Sequence, residues 1–283
     1  MPEIEDYIKN VRNLPPAPRV VPELMRLLKQ PDVDSSQVVK LISYDPSLTA
    51  NVLRICNSAY FGAAPTSDLQ EAVTRLGFQQ VYQLVAAATG AKLLSAPQPG
   101  YGMDQGELWK HSVAAAVAAQ LMAKQIGDDQ NLAFTATLLH DIGKIVLTHS
   151  LSSAYQKLIH ETELKQQPLV DAEKKLLGTN HAEVGSQLLA QWKFPPNVVS
   201  AIWFHHNPQA AGPNQRLASY IYLGNLVSYF MGLGYGHVAF AMRGRAEALA
   251  TLGLTAESIP KFMMETFEQM HIVEALFSLS APA

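Results

Sequence analysis

Cysteine is nearly absent from this chain: Cys56 is the only one in 283 residues. One thiol excludes an intrachain disulfide, and a reducing compartment is the natural setting. Charge is also sparse. Charged residues make up 16% of the sequence and nearly cancel, leaving a formal net charge of −3. No global field would draw in nucleic acid or an anionic membrane surface. Long hydrophobic runs are missing too. The longest, residues 113–123, contains Gln120 and falls short of the ~20 residues that a bilayer span requires. The acidic opening, Met1 to Asp6, lacks the basic-then-apolar order of a signal peptide. A cytoplasmic protein that avoids membranes and nucleic acid is the expectation. Period-two alternation is absent as well, which argues against strands. What is present is 48% hydrophobic sequence, ample for a folded core.

Pattern and punctuation read as helix after helix. Leu14-Pro15-Pro16-Ala17-Pro18 is a stiff, non-helical lead. Val20, Val21, Leu24, Leu27 and Leu28 follow as one apolar face, closed by Gln30-Pro31. Asp34 and Ser35 offer caps to the next helix, and Asp45-Pro46 is a cap with proline at the first helical position. Asp68 with Glu71, and later Asp104 with Glu107, have capping-box spacing. Gly77 separates a helix ending at Leu76 from another running to about Leu94. The turn 57–62 brings small polar residues and then aromatics, a pattern that suits core packing. Ser95-Ala96-Pro97-Gln98-Pro99-Gly100 has loop composition and marks a subdomain boundary. Two subdomains are therefore expected, 1–98 and 99–283. A final amphipathic helix over residues 255–280 carries Phe262, Met263, Phe267 and Met270, and packing onto the bundle is its expected role.

Chemistry concentrates in the second half. Leu138-Leu139-His140-Asp141-Ile142-Gly143-Lys144 delivers an adjacent histidine and aspartate on an apolar approach, with a glycine and a lysine directly behind. On a helix, neighbours differ by about 100°, so both side chains can reach one ion. His111, His181, His205 and His206 also lie at helix positions flanked by apolar residues. Several buried imidazoles without partners are costly, and a shared ion is one resolution; a metal-free polar network is another. His149, His160, His237 and His271 read as ordinary surface or hydrogen-bonded histidines. Five imidazoles and one carboxylate suit iron or manganese first, nickel or zinc next, and calcium poorly. Six ligands exceed a tetrahedral zinc site, so either one octahedral ion or a pair bridged by Asp141 is expected. Lys144 would set a cation beside a phosphate oxygen.

These residues, in this order, resemble the HD superfamily of metal-dependent phosphohydrolases. More closely, the chain resembles the HDOD (HD-related output domain) family of bacterial signalling modules. Leu14-Pro15-Pro16-Ala17-Pro18, Ser43-Tyr44-Asp45-Pro46-Ser47-Leu48 and Cys56-Asn57-Ser58-Ala59-Tyr60-Phe61-Gly62 look like its N-terminal marks. Ala72-Val73-Thr74-Arg75-Leu76-Gly77 and His181-Ala182-Glu183-Val184-Gly185 look like later ones. The resemblance implies an all-α, two-lobed helical bundle, with an N-terminal helical subdomain and an HD-like helical subdomain. It places the turn 57–62 in the N-terminal bundle.

The resemblance also implies a signalling or output module that binds a partner protein or a small phosphate-containing ligand, with an HD-type metal site. His111, His140, Asp141, His181, His205 and His206 match the metal-binding pattern of two-metal HD phosphodiesterases. Asn225 stands where that pattern has an aspartate, and an amide is a neutral, poorer ligand. The Gly-Tyr-Pro motif of cyclic-dinucleotide phosphodiesterases is missing. The alternative is a phosphohydrolase acting on a phosphomonoester or phosphodiester such as a nucleotide. In that reading Asp141 orients the nucleophile and Lys144 steadies the phosphate. With no receiver, kinase or DNA-binding domain legible, the signal is expected to come from another chain.

Overall fold

A computed structural model of the chain describes residues 4–10, 20–30, 32–57, 65–154, 157–158, 161–162, 167–234 and 244–278. Among these residues the regular structure is helical, α-helices with short 3₁₀ segments, and one isolated antiparallel bridge joins Gln98 and Met103. Fourteen α-helices run in order: α1 (Ile4–Asn10), α2 (Val20–Leu27), α3 (Ser35–Ser43), α4 (Pro46–Cys56) and α5 (Leu69–Leu94). Then come α6 (Glu107–Ile126), α7 (Gln130–Leu138), α8 (Gly143–Ser152), α9 (Leu169–Leu177) and α10 (His181–Gln191). The last four are α11 (Pro196–Trp203), α12 (Gln215–Phe230), α13 (Arg245–Leu252) and α14 (Ile259–Ser278). The Pro-rich stretch 14–18 and residues 58–62 of the aromatic turn lie outside the described residues, as do His160 and His237 and the side chains of His149 and His271.

The chain divides into two compact units. One is built on Pro16–Lys92. In it the Asp34 carboxylate accepts from the backbone of Ser36 and Gln37, while the Gln37 side chain returns to the Asp34 N–H, a full capping box. Asp45 accepts from the Leu48 N–H at 3.2 Å ahead of Pro46. Gly77, at φ 75° and ψ 158°, interrupts α5, a conformation costly for any side chain but glycine's. The box expected at Asp68 is rearranged. The Glu71 carboxylate takes the Thr66 hydroxyl and Arg75, and Thr66 Oγ1 accepts the Asp68 N–H in its place.

The second unit comprises Leu93–Ala275 together with α1. Tyr7 of α1 donates to the Leu177 carbonyl at 3.0 Å, so the opening helix is not part of the unit on residues 16–92, contrary to the expected 1–98 subdomain. α6 is the hub, packing α7 along one side and α12 along another. Ala114, Ala115, Ala116, Ala118, Ala119 and Ala123 of α6 are fully buried. Small side chains at these positions let the three helices approach closely while keeping high helix propensity. Gly106, in the left-handed conformation, precedes α6, so Asp104 is not its cap; half the expected box survives, as the Glu107 carboxylate accepts the Asp104 N–H at 2.7 Å.

Residues 95–101 are not a free linker. Pro99–Tyr101 form a 3₁₀ turn that buries Gly100 and Tyr101, and the Gly100 N–H donates to Thr148 Oγ1 of α8 at 3.0 Å. Loop composition marked an irregular backbone, but burial of Tyr101 ties it to the core. On α14, Phe262 and Met270 pack inward, whereas Phe267 is 57% exposed and lies off the buried stripe.

Candidate metal centre

The doublet His140-Asp141 does not lie on a helix. α7 ends at Leu138, and residues 139–142 form the turn that leads into α8. The turn holds because Gly143 lets α8 pass directly against the start of α10. A Cβ on Gly143 would stand 2.0 Å from the His181 carbonyl oxygen and 2.7 Å from the Gly185 nitrogen. That contact brings Asp141 beside His181. Similarly, His205 and His206 sit in the turn just after α11 rather than on it.

The structure gathers the expected residues into two neighbouring groups, His111–His140–Asp141 and His181–His205–His206. Within each, one ligand atom per residue lies within 4.8 Å of the others. His140 and His205 rings meet edge to face with centroids 5.1 Å apart, linking the groups. All six residues are buried except His206, which is partly exposed.

Hydrogen bonds fix the ring tautomers. A carbonyl oxygen can only accept, so an imidazole nitrogen beside one must carry the hydrogen. His111 Nδ1 lies 3.1 Å from the Leu233 carbonyl, His140 Nδ1 2.6 Å from Thr137 O, and His205 Nδ1 2.7 Å from Ile202 O. Ser228 supports the first of these: its hydroxyl donates to the His111 carbonyl and its oxygen stands 3.0 Å from His111 Nδ1. Each ring is left with a bare Nε2 lone pair, and none of the three Nε2 atoms has a hydrogen-bond partner. Two of them, on His111 and His140, face the same oxygen, Asp141 Oδ2, each at 3.4 Å. Lone pairs converging on a carboxylate oxygen in a dry interior repel one another, and the Lys144 ammonium on that same oxygen bonds neither ring nitrogen. The donor set thus fits a divalent metal, held by imidazole nitrogens and a carboxylate.

Electrostatics point the same way. Burial pushes His140 down to about 4, although the Asp141 charge opposes it, and burial holds His205 and His206 well below their ordinary range. Neutral imidazoles are the form that ligates. Burial would raise Asp141, but the Lys144 ammonium and the His181 ring beside it hold it well below the usual carboxylate range. Lys144, buried, donates to Asp141 Oδ2 at 2.7 Å and lies 5.6 Å from the Tyr101 ring centroid. Burial disfavours its charge; Asp141 more than restores it. His181 is the exception among the rings. Burial lowers it, but Glu173 and Asp141 outweigh burial and push it up to about 9. Its Nε2 lies 2.9 Å from His206 Nε2 and 3.2 Å from Asp141 Oδ1.

Asn225 is fully buried on α12, and neither its amide nitrogen nor its oxygen has a partner. It lies one turn before Ser228 and Tyr229, the two residues of α12 that touch His111. A cleft of about 570 Å³ opens beside His206, lined by Trp203, Phe204, Asn207, Lys174 and Tyr222 as well. The Tyr222 hydroxyl there is buried without a partner.

Glu173 is the site residue that sequence reasoning did not reach. Fully buried, it accepts from the Tyr101 hydroxyl at 2.6 Å and from the ring and backbone nitrogens of His181. One signal was available: in α9 it falls between Leu169 and Leu177 at helical spacing, an acid on the apolar stripe.

No helix among the described residues is long and apolar enough to cross a membrane. Residues 14–208 match the HDOD domain family. An uncharacterized protein of Treponema pallidum is 30% identical over 229 residues, 78% of this chain; the chain spans only 43% of that protein. Ribonuclease Y of Bacillus subtilis is 33% identical over 100 residues, 35% of this chain and 14% of that protein. An HDOD domain protein of unknown function from Geobacter sulfurreducens superposes with TM-score 0.72 at 22% identity, covering 93% of this chain and 95% of its own. A Marinobacter aquaeolei chain, provisionally named a signal transduction protein, gives TM-score 0.75 at 24% identity, over 99% of this chain and 62% of its own. These structures share the all-helical fold. With the family match running from the Pro-rich lead through His205 and His206, the chain belongs to the HDOD family.

Proposed function

We propose that this chain is a bacterial, cytoplasmic signalling module whose helical core is organised by a transition-metal centre and whose output is the binding of a partner. The observation that carries the metal is the set of three buried, bare Nε2 atoms on His111, His140 and His205. One or two ions suit the two groups, iron or manganese foremost, then nickel or zinc. His111, His140 and Asp141 would hold one, His181, His205 and His206 the other. The partner is a signalling protein or a small phosphate-containing ligand, and the cleft beside His206 has room for the latter.

Two features favour a binding role over turnover. Asn225 supplies a neutral amide where an acid would add negative charge. Lys144 already occupies one oxygen of Asp141, which leaves that oxygen less free to orient a nucleophile.

A phosphohydrolase is the second reading, favoured by the completeness of the histidine set. A divalent ion in this centre supplies Lewis acidity towards a phosphoryl oxygen and activates water. Asp141 then orients the nucleophile, and the Lys144 ammonium offsets charge on the phosphate.

Elemental analysis of the purified protein tests the first claim: one or two transition-metal ions per chain are expected, and their absence after reconstitution with Mn²⁺, Fe²⁺ and Zn²⁺ refutes it. A phosphatase and phosphodiesterase screen of the metal-loaded protein separates the readings. Activity lost in Asp141→Ala with the fold intact establishes the enzyme. Activity that appears only in Asn225→Asp establishes the module.

A further inference from the structure

We propose that Glu173 is a positioning residue for the metal centre, fixing the ring of His181 and strengthening its Nε2 as a donor. The inference rests on the metal-centre reading above and assigns a role to a residue outside the ligand set.

Four site histidines have their Nδ1 hydrogen-bonded. Three donate to main-chain carbonyls, of Leu233, Thr137 and Ile202. His181 alone points at a carboxylate, with Nδ1 2.7 Å from Glu173 Oε2. The same oxygen accepts the His181 backbone N–H at 3.0 Å. One acid thus grips both ends of one residue, which fixes where the ring can point. The second oxygen, Oε1, takes the Tyr101 hydroxyl at 2.6 Å, so the carboxylate is itself anchored. His181 is the first residue of the eleven-residue α10, and a negative charge at a helix N-terminus is favourable.

Held this way, the far nitrogen of the ring faces the rest of the centre, 3.2 Å from Asp141 Oδ1 and 2.9 Å from His206 Nε2. A hydrogen bond from Nδ1–H to a carboxylate raises the basicity of a ligating imidazole more than one to a neutral carbonyl does. A buried charge is costly, and packing alone would be served by an amide of the same shape. The start of α10 favours this charge in the fold as well, so its role at the centre is read from metal affinity and not from stability alone.

Glu173→Gln isolates that charge. The amide oxygen can still accept from both His181 nitrogens, while its NH₂ group can donate to the Tyr101 oxygen. Mn²⁺ is titrated into metal-free wild type and E173Q by calorimetry, with circular dichroism and melting of the metal-free proteins alongside. Binding roughly 10–100-fold weaker is expected, with unchanged secondary structure. Co²⁺, added as a spectroscopic probe, is expected to show altered visible bands in E173Q. Wild-type Mn²⁺ affinity and Co²⁺ bands in a folded E173Q overturn the proposal. If E173Q does not fold, Glu173→Asp decides. It keeps the charge but draws the carboxylate back by one methylene from the His181 nitrogens it now meets at 2.7 and 3.0 Å, so weaker Mn²⁺ binding supports the proposal and wild-type affinity overturns it. Wild-type protein that takes up no Mn²⁺, Fe²⁺ or Zn²⁺ marks the failure of the metal-centre reading itself.

Discussion

Gly143→Ala separates the close approach of α8 and α10 from helix propensity, because the two make opposite predictions. Gly143 opens α8, and an exposed helical glycine replaced by alanine gains up to ~1 kcal/mol. Here the new Cβ would lie 2.0 Å from the His181 carbonyl oxygen and 2.7 Å from the Gly185 nitrogen. Both are backbone atoms, so no side chain can swing aside. Ordinary contact begins at 3.4 Å, so the two helices must part by about 1.4 Å, the difference between 3.4 and 2.0. Overpacking of this kind costs about 1–3 kcal/mol or more, which exceeds the propensity gain. For a unit of this size each kcal/mol moves the melting temperature by about 2–4 °C. A drop of several degrees is expected in metal-free protein by calorimetry. Parting the helices also carries Asp141 away from His181, now 3.2 Å apart, so the rise in melting temperature on adding Mn²⁺ should shrink as well. A G143A protein that melts at or above wild type, with its Mn²⁺ response intact, would refute the packing reasoning.

Lys144→Met leaves the buried Asp141 carboxylate without its cation, and losing one partner of such a pair costs about 3–5 kcal/mol; the urea midpoint of metal-free protein should fall, and Mn²⁺ should recover part of the loss. His205→Ala removes one bare Nε2, so its Mn²⁺-induced stabilisation should be well below that of wild type, about 2.7 kcal/mol at a hundred times Kd, in a melting titration. Burial pushes Asp128 up, but hydrogen bonds from Arg216 and Tyr220 and the guanidinium charge outweigh it, leaving its pKa below the ordinary 3.8. Because the folded value is the depressed one, this contribution is complete above pH 3.8 and is lost as pH falls through the folded value. Asp128→Asn should therefore show a shallower loss of stability below about pH 4 in acid titrations by circular dichroism.

Helices and several of their caps were legible because their signals are local. Asp34, Asp45 and Gly77 act where a short window of sequence says they should. The histidines were legible as a set because a buried imidazole on an apolar stripe needs a partner. The turn at His140-Asp141 was not, since nothing within Leu138 to Lys144 forbids helix; the turn depends on Gly143 meeting the His181 backbone, thirty-eight positions later. Glu173 escaped for a related reason. An acid between leucines on a helix reads as surface unless one knows that Tyr101 and His181 converge on it. Tyr101 in turn follows residues with the composition of a linker, and only its burial shows otherwise.

The pairing of Asp141 with Lys144 and of Glu173 with His181 makes the metal-free centre balanced in charge: two buried anions face two buried cations. A dication added to that balance creates a surplus. Giving up the His181 proton removes only one unit of it, and the neutral amide of Asn225 removes none. An ion held here therefore leaves positive potential in a dry interior, which an anion entering beside His206 would neutralise. If the centre takes up a dication, electroneutrality would couple it to an anion beside His206, each tightening the other by the same factor.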